Sequence, residues 1–251
     1  SGNFTLRSAW YRVEQARELA VQAGAGLVPQ VDGSVGVSRT VREPGMGGSS
    51  RDYTTELDLG LAARYEVDLW GRIRTAADAA ALDAVATAQD LEAAAITLSA
   101  QVATTYYRIV EQISQIDVLE AQLETNVDYL DIVTLQFRQG QAPAADVLQQ
   151  RQLVESTRGE LYLARSALEV LRHQLAVLLG RAPGAMEEEF AARVPVPPAL
   201  PDTGVPARWL RARPDVRAAA LRASAADLRV ISAMADRFPA LNLSANVATN
   251  A

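Results

Sequence analysis

Between Gly71 and Gly140 the chain contains neither glycine nor proline. So long a stretch without a breaker, rich in alanine, predicts one helix from roughly Ile73 to Phe137, about 98 Å long at about 1.5 Å per residue. No ordinary globular core needs such an element. In its second part Leu98, Val102, Thr105, Ile109, Gln112, Ile116, Leu119, Leu123, Asn126, Leu130, Val133 and Phe137 recur at alternating spacings of four and three. This is the seam of a coiled coil with three polar members. The first part is mainly alanine, which permits close helix packing.

RQGQAPAAD, Arg138 to Asp146, interrupts the pattern with Gly140 and Pro143 and is short enough to join two antiparallel helices. The second helix runs to about Leu179. Val147, Val154, Leu161, Leu168 and Leu175 form a seven-residue ladder, with Ala164, Leu171 and Leu178 three positions on, so it packs alongside the first. Gly180 and Pro183 end it.

The residues before the long helix have a different period. Tyr53, Thr55, Leu57, Leu59, Leu61, Ala63, Tyr65, Val67 and Leu69 fall on one face of an extended segment, and Thr54, Glu56, Asp58, Gly60, Ala62, Arg64, Glu66 and Asp68 on the other. Val31 to Val41 alternates in the same way, with Arg39 the one charge on its apolar side. The turn-forming residues from Arg42 to Asp52 make the two a long hairpin. Ahead of it, Leu6, Ala9, Val13, Ala16, Ala20 and Ala23 predict a helix from Thr5 to Ala25, with Pro29 at its exit.

Beyond the helical hairpin, VPVPPALPDTGVP from Val194 to Pro206 reads as a semi-rigid linker. Pro214 to Asp236 reads as a helix, and Leu241, Leu243, Ala245 and Val247 begin another alternating strand. A shift of 210 positions superimposes this passage on the amino-terminal one. Arg7 falls on Arg217, Ala9 on Ala219, Arg12 on Arg222, Ala16 on Ala226, Ala23 on Ala233, Ala25 on Ala235, Pro29 on Pro239, Ser34 on Ser244 and Val37 on Val247. The chain carries an internal duplication, and the native protein is expected to extend past Ala251 with another strand and another long helical hairpin.

Composition closes several routes. The 24 basic and 30 acidic residues are dispersed and give a net charge of −6, so no basic patch for nucleic acid exists. With no cysteine and one histidine, neither a nucleophile with base and orienter nor a clustered metal-ligand spacing can be assembled, and no phosphate loop occurs. The chain is therefore not expected to be an enzyme, to use a cofactor or to hold a metal. No run of about 18 apolar residues predicts a membrane-spanning helix, a test that does not address a barrel.

YEVDLWGRIR (Tyr65 to Arg74), FRQGQAPAADVLQQR (Phe137 to Arg151), LAVLLGRAPG (Leu175 to Gly184) and RPDVRAAALRASAADLRVISAMADRFPALNLSA (Arg213 to Ala245), in this order, resemble the TolC-like outer-membrane efflux channels, in particular the lipoprotein branch that serves resistance-nodulation-division pumps. The resemblance implies a mainly α fold with membrane β-strands. A long antiparallel coiled-coil hairpin and an amphipathic β-hairpin would contribute to a homotrimer with a 12-stranded outer-membrane β-barrel and a periplasmic α-barrel. It divides the chain into a periplasmic helix (1–26), a transmembrane β-hairpin (27–72), the long periplasmic helical hairpin (73–180), a linker or equatorial segment (181–213), a second periplasmic helix (214–238) and the start of a second β-hairpin (239–251). It implies passive conduction from an inner-membrane transporter across periplasm and outer membrane, with a periplasmic adaptor protein and outer-membrane lipid as further partners. Arg138, Gln139, Gly140, Gln141 and Ala142 would form the tip that the adaptor contacts. Pro29, Asp68, Trp70, Gly71 and Pro239 would mark the junction of barrel and helices. The family's main constriction lies in a second helical hairpin that this sequence does not contain, so no gate residue is assigned. The alternative is a periplasmic adaptor, which also has a long helical hairpin but is flanked by lipoyl-like halves rather than by long strands.

Other residues have plain readings. Trp70 suits an interfacial aromatic belt or packing at the junction. His173, beside the heptad ladder, reads as packed or solvated, and Glu187, Glu188 and Glu189 as a solvated helix start or loop. Asn3-Phe4-Thr5 and Asn242-Leu243-Ser244 match glycosylation sequons that have no expected role in a bacterial outer membrane.

Overall fold

The computed structural model describes residues 2–42, 52–184, 190–191, 199 and 206–250. Most of the loop read from Arg42 to Asp52, the Glu187 to Glu189 run and most of the Val194 to Pro206 linker lie outside the described residues. In chain order the elements are α1 (Phe4–Gly24), a single 3-10 turn (Ala25–Leu27), β1 (Gln30–Arg42), β2 (Asp52–Val67), α2 (Arg72–Arg138), α3 (Ala144–Leu179), α4 (Pro206–Ala212), α5 (Pro214–Ala235) and β3 (Leu241–Asn250). They group into two compact units, residues 1–9 with 91–206 and residues 10–90 with 207–251. No described helix is long and apolar enough to cross a membrane.

The first unit is built on the helical hairpin. Every seam position of α2 from Leu98 to Val133 is sheltered, and only Phe137 is exposed. The facing first turn of α3, residues 144–146, offers it only short, exposed side chains. Ile109, Ile116 and Leu119 pack with Leu161, Ala164, Leu168 and Leu175 as a continuous core. Two of the three polar seam members, Gln112 and Asn126, are paired across the hairpin, as burial favours. Gln112 Nε2 donates to the Ala164 carbonyl at 3.2 Å and Asn126 Nδ2 to Thr157 Oγ1 at 3.1 Å, while Gln150 Nε2 donates to the Asn126 carbonyl at 3.0 Å. Gln150 and Thr157, both buried, continue the second stripe of α3 in positions that an apolar ladder passes over.

Gly180 ends α3 in the left-handed region at φ 74°, with its N–H and that of Arg181 returning to carbonyls of the last turn. A β-carbon on Gly180 would lie 2.2 Å from the Gly2 carbonyl carbon, so the start of α1 abuts the end of α3. Asn3 joins them. Its Oδ1 accepts from the N–H groups of Thr5 and Leu6 at 2.8 and 3.1 Å, the N-cap geometry, and its Nδ2 donates to the Leu178 carbonyl at 2.7 Å. What reads as a sequon is a helix cap.

In the second unit the strands form one antiparallel sheet in the order β1-β2-β3. Gln30 pairs with Arg64 and Arg42 with Asp52 across the first ladder; Val67 pairs with Leu241 and Asp58 with Asn250 across the second. This register places the odd-numbered apolar residues of all three strands on one face and the even-numbered polar ones on the other. Val31, Val35, Val37, Leu57, Leu59, Leu61, Leu243 and Val247 are all exposed on the apolar face.

Three elements differ from the sequence reading. β2 ends at Val67, not Leu69, because the Leu69 N–H closes a tight turn onto the Val67 carbonyl at 2.8 Å. α2 therefore starts at Arg72, one residue earlier than expected. The segment read as linker up to Arg213 contains α4, which begins on Pro206, a residue that suits the first helical position because its missing N–H would have no partner there.

Candidate functional site

The junction between β2 and α2 is assembled from residues distant in sequence. Asp68 caps α2 from three residues before its N-cap position: Oδ1 accepts from the Ile73 N–H at 3.1 Å and Oδ2 from the Arg74 N–H at 2.8 Å. Two of the four free donors of the helix start are thereby satisfied by a carboxylate, whose charge also opposes the positive end of the helix dipole. Gly71 takes φ 72° with open space around its missing side chain, so conformation and not crowding calls for glycine here. Thr75 Oγ1 donates to the Gly71 carbonyl at 2.6 Å.

Arg72 ties the sheet to the helices of this unit. Its guanidinium donates to both Glu66 oxygens at 2.8 Å and reaches Asp236 at 3.6 Å, while its carbonyl accepts from Ser232 Oγ at 2.9 Å. The hydrogen bond to Glu66 raises the Arg72 pKa above its ordinary value, against the opposing effect of burial, and the charges of Glu66, Asp236 and Asp68 add to the rise. The indole N–H of Trp70 donates to the Pro239 carbonyl at 3.0 Å, and its ring stacks on Phe238 with centroids 4.8 Å apart. Of the two readings of Trp70, this geometry is that of junction packing. Pro29 and Pro239 precede β1 and β3 in equivalent places of the duplication.

Glu66, Arg72, Asp236 and Phe238 belong to this site but were not legible as such. Periodicity assigned Glu66 to a polar strand face and could not say which helix end lies beside it.

At the other site, Arg138 is the last residue of α2, Gln139 and Gly140 turn, and Gln141 and Ala142 lead to Pro143. Gly140 has φ 74°, and the N–H groups of Gln139, Gly140 and Gln141 return to carbonyls of the last helical turn. Arg138, Gln139, Gly140 and Gln141 are exposed, and Ala142 is partly covered. No ion pair or side-chain hydrogen bond within the described residues fixes these side chains. His173 is exposed on α3. The described residues hold no group of three or more His, Cys, Asp or Glu that could bind a metal.

A continuous amphipathic strand leading through a capped turn into a helix of 67 residues is the arrangement that comparison with known proteins matches to outer-membrane efflux channels. Residues 1–181 match the outer membrane efflux protein family, and the chain belongs to it. Its membership carries an outer-membrane location with a periplasmic portion. The chain is 32% identical over 244 residues to the pyoverdine export outer membrane protein OpmQ of Pseudomonas putida, covering 95% of this chain and 52% of that protein. It is 34% identical over 255 residues to OpmQ of Pseudomonas aeruginosa, covering 98% and 53%. Among solved structures it resembles the outer-membrane channel OprN, with a TM-score of 0.84, 26% identity and coverage of 100% of this chain and 61% of that one. CusC, whose structures concern folding and transmembrane channel formation, matches with a TM-score of 0.79 and 26% identity over 99% and 57%. The chain thus spans about half the length of the curated relatives it matches. The family match favours the channel over the adaptor alternative.

Proposed function

We propose that this chain is part of the outer-membrane channel of a tripartite efflux system, passively conducting drugs, metal ions or other solutes delivered by an inner-membrane resistance-nodulation-division transporter through a periplasmic adaptor. The observation that carries the reading is the three-stranded sheet, whose apolar face is exposed apart from the half-buried Ala63, Tyr65 and Val67 and whose polar face carries Asp32, Glu56, Asp58, Arg64 and Glu66. Three strands cannot close, and open edges are not tolerated in lipid, so such a sheet spans a membrane only as a share of a larger barrel with its polar face toward water. The pore has no energy source of its own; the pump supplies the work.

A ring of copies has independent support in the duplication. In the second unit, α1 shelters Val13, Ala16, Ala20 and Ala23, while the positions equivalent to them in α5, Ala223, Ala226, Val230 and Ala233, are exposed. Conversely α5 shelters Leu221, Ala225, Leu228 and Ser232, and their equivalents in α1, Tyr11, Gln15, Glu18 and Gln22, are exposed. Gly26 lies against Ile73, and Ala23 lines a cavity with Ile73 and Ala76, whereas α5 binds α2 through Arg222 to Asp90 and Arg229 to Asp83. Each repeat helix is engaged on one side only, and the two sides are opposite. A helix sequence built for two flanking partners, using one at each end of the array, suits a closed ring in which long helices alternate with repeat helices. We take three copies as the closure, with Arg138 to Ala142 as the adaptor-contact tip and the domain limits given above.

The test is the full-length protein in detergent and then in planar bilayers. The reading expects an oligomer of three chains after subtraction of bound detergent, and stepwise ohmic conductance without nucleotide or other energy source. A monomer that neither inserts nor conducts would refute it.

A further inference from the structure

Arg39 is the one charged side chain on the apolar face of the sheet among the described residues, and the channel reading gives it no role. It lies on β1 eight residues beyond Val31, toward the end of the hairpin remote from α2. Among the described residues no carboxylate shares its face: Asp32, Glu56, Asp58 and Glu66 all lie on the other one. What it has is Tyr53, whose ring centroid is 4.8 Å from the guanidinium carbon; Val41 pairs with Tyr53 and Arg39 with Thr55, so the contact is a diagonal one.

The height of this pair on the sheet identifies its surroundings. Tyr53 and Tyr65 are the two aromatic residues of β2, both on the apolar face, with Thr55, Leu57, Leu59, Leu61 and Ala63 between them. Twelve residues at about 3.4 Å span roughly 41 Å along the strand, or roughly 31 Å of height at a tilt of about 40°. That is the separation of two aromatic girdles bracketing a hydrocarbon layer. Tyr65 marks the side of the helices and Tyr53 the far side. An arginine at the midplane of a barrel's lipid face costs about 2 to 4 kcal/mol, and near the interface about 0 to 1. Arg39 therefore sits at the far one of the two interfacial depths on this face, where a charge is tolerated and where headgroup phosphates lie. The guanidinium lies over a ring, and among the described residues no ion pair or hydrogen bond occupies its N–H fork, which can make a bidentate contact.

We propose that Arg39, oriented by Tyr53, binds the phosphate of an outer-leaflet lipid headgroup, giving each copy one lipid-phosphate contact on the outer rim of the barrel. The proposal rests on the channel reading and assigns that barrel's lipid contact to a residue and a chemical group.

The experiment is native mass spectrometry of the full-length oligomer in non-ionic detergent, titrated with diphosphorylated lipid A, with the same lipid after removal of its phosphates, and with inorganic phosphate as competitor. Retention of the phosphorylated lipid by the wild type is expected, with at least tenfold weaker retention in Arg39→Gln, an intermediate value in Arg39→Lys and a loss of a few-fold in Tyr53→Leu. Dephosphorylated lipid should bind the wild type as weakly as phosphorylated lipid binds Arg39→Gln, and millimolar inorganic phosphate should not compete. Equal retention by wild type and Arg39→Gln, or equal binding of the dephosphorylated lipid, overturns the proposal. Full competition by inorganic phosphate would make this a site for the free ion and overturns it equally. Conductance separates the two readings: Arg39→Gln channels that conduct like the wild type but bind lipid equally sink only the lipid contact, whereas a wild type that neither assembles nor conducts sinks the channel.

Discussion

Replacing Asp68 by alanine removes both side-chain acceptors at the start of α2, leaving the Ile73 and Arg74 N–H groups to water. Loss of an N-cap acceptor costs about 1 to 2 kcal/mol, and loss of a negative charge beside the helix amino terminus about 0.3 to 1. Asp68 is only partly buried, so water recovers some of this, and a net value of about 2 kcal/mol follows for local opening of the first turn. Asparagine keeps one acceptor but turns a donor toward the other N–H and carries no charge, which gives about 1 kcal/mol. Hydrogen exchange followed by mass spectrometry on peptides covering 68–78 reads this directly, since local opening sets the exchange rate. At about 1.4 kcal/mol per tenfold, the first-turn amides of Asp68→Ala should exchange roughly 30-fold faster and those of Asp68→Asn roughly 5-fold faster. Peptides from the start of α3 should not change. Unaltered exchange in Asp68→Ala would show that the cap contributes nothing and that the turn is held by Gly71 and the Arg72 pairs alone.

Glycine substitutions should separate conformation from crowding: Gly140→Ala, with nothing within 4 Å of the added carbon, should cost about 1 kcal/mol, whereas Gly180→Ala, which also meets Gly2, should cost several times more in chemical denaturation. Ile109→Ala should destabilise the helical hairpin by about 2 to 5 kcal/mol, while Tyr107→Ala, on the exposed side of the same helix, should stay within about 0.5 in the same measurement. Arg213 donates to Asp215 at 2.7 and 3.1 Å and holds its carboxyl below the usual carboxylate range. A depressed folded-state pKa stabilises fully above the unfolded value and the benefit disappears as pH falls through the folded one. Thermal melts of Asp215→Asn and wild type should therefore differ at neutral pH and converge once the pH has fallen through the depressed folded-state pKa of Asp215; a gap that persists in stronger acid would assign the effect to packing.

The helical hairpin was legible because a seam is a one-dimensional signal. Leu98 to Val133 alternate at spacings that leave one face to bury, and that face is the sheltered one. Even the polar members were visible, but their partners were not: nothing in the spacing of Gln112 states that it meets the Ala164 carbonyl on the other helix. The junction shows the same limit more sharply. Asp68, Trp70 and Gly71 stand out as the place where period two gives way to period 3.6. Their contacts depend on Phe238 and Pro239, which are brought to Trp70 only when β3 returns to pair with β2. Asn3 was hidden for another reason, since its role as a cap depends on α3 ending beside it. The residues from Arg138 to Ala142 were singled out through resemblance, and their geometry is a tight turn between helices whose side chains have no fixed partner in the described residues.

The pairing of β2 with β3 also sets an order of events. Val41 and Tyr53 can meet as soon as the hairpin is made, and α2 and α3 can zip through contacts around a short turn. Val67 must wait for Leu241, which is synthesised only after both helices and the segment beyond them. Contacts so far apart in sequence form late, because the closure entropy of the long intervening loop must be met first. During that interval β2 presents a bare edge with apolar side chains on one face, the combination that invites pairing with a foreign strand. Strand order alone thus leaves one edge of β2 open to foreign strands until β3 docks, and anything that shields that edge in the meantime protects the chain.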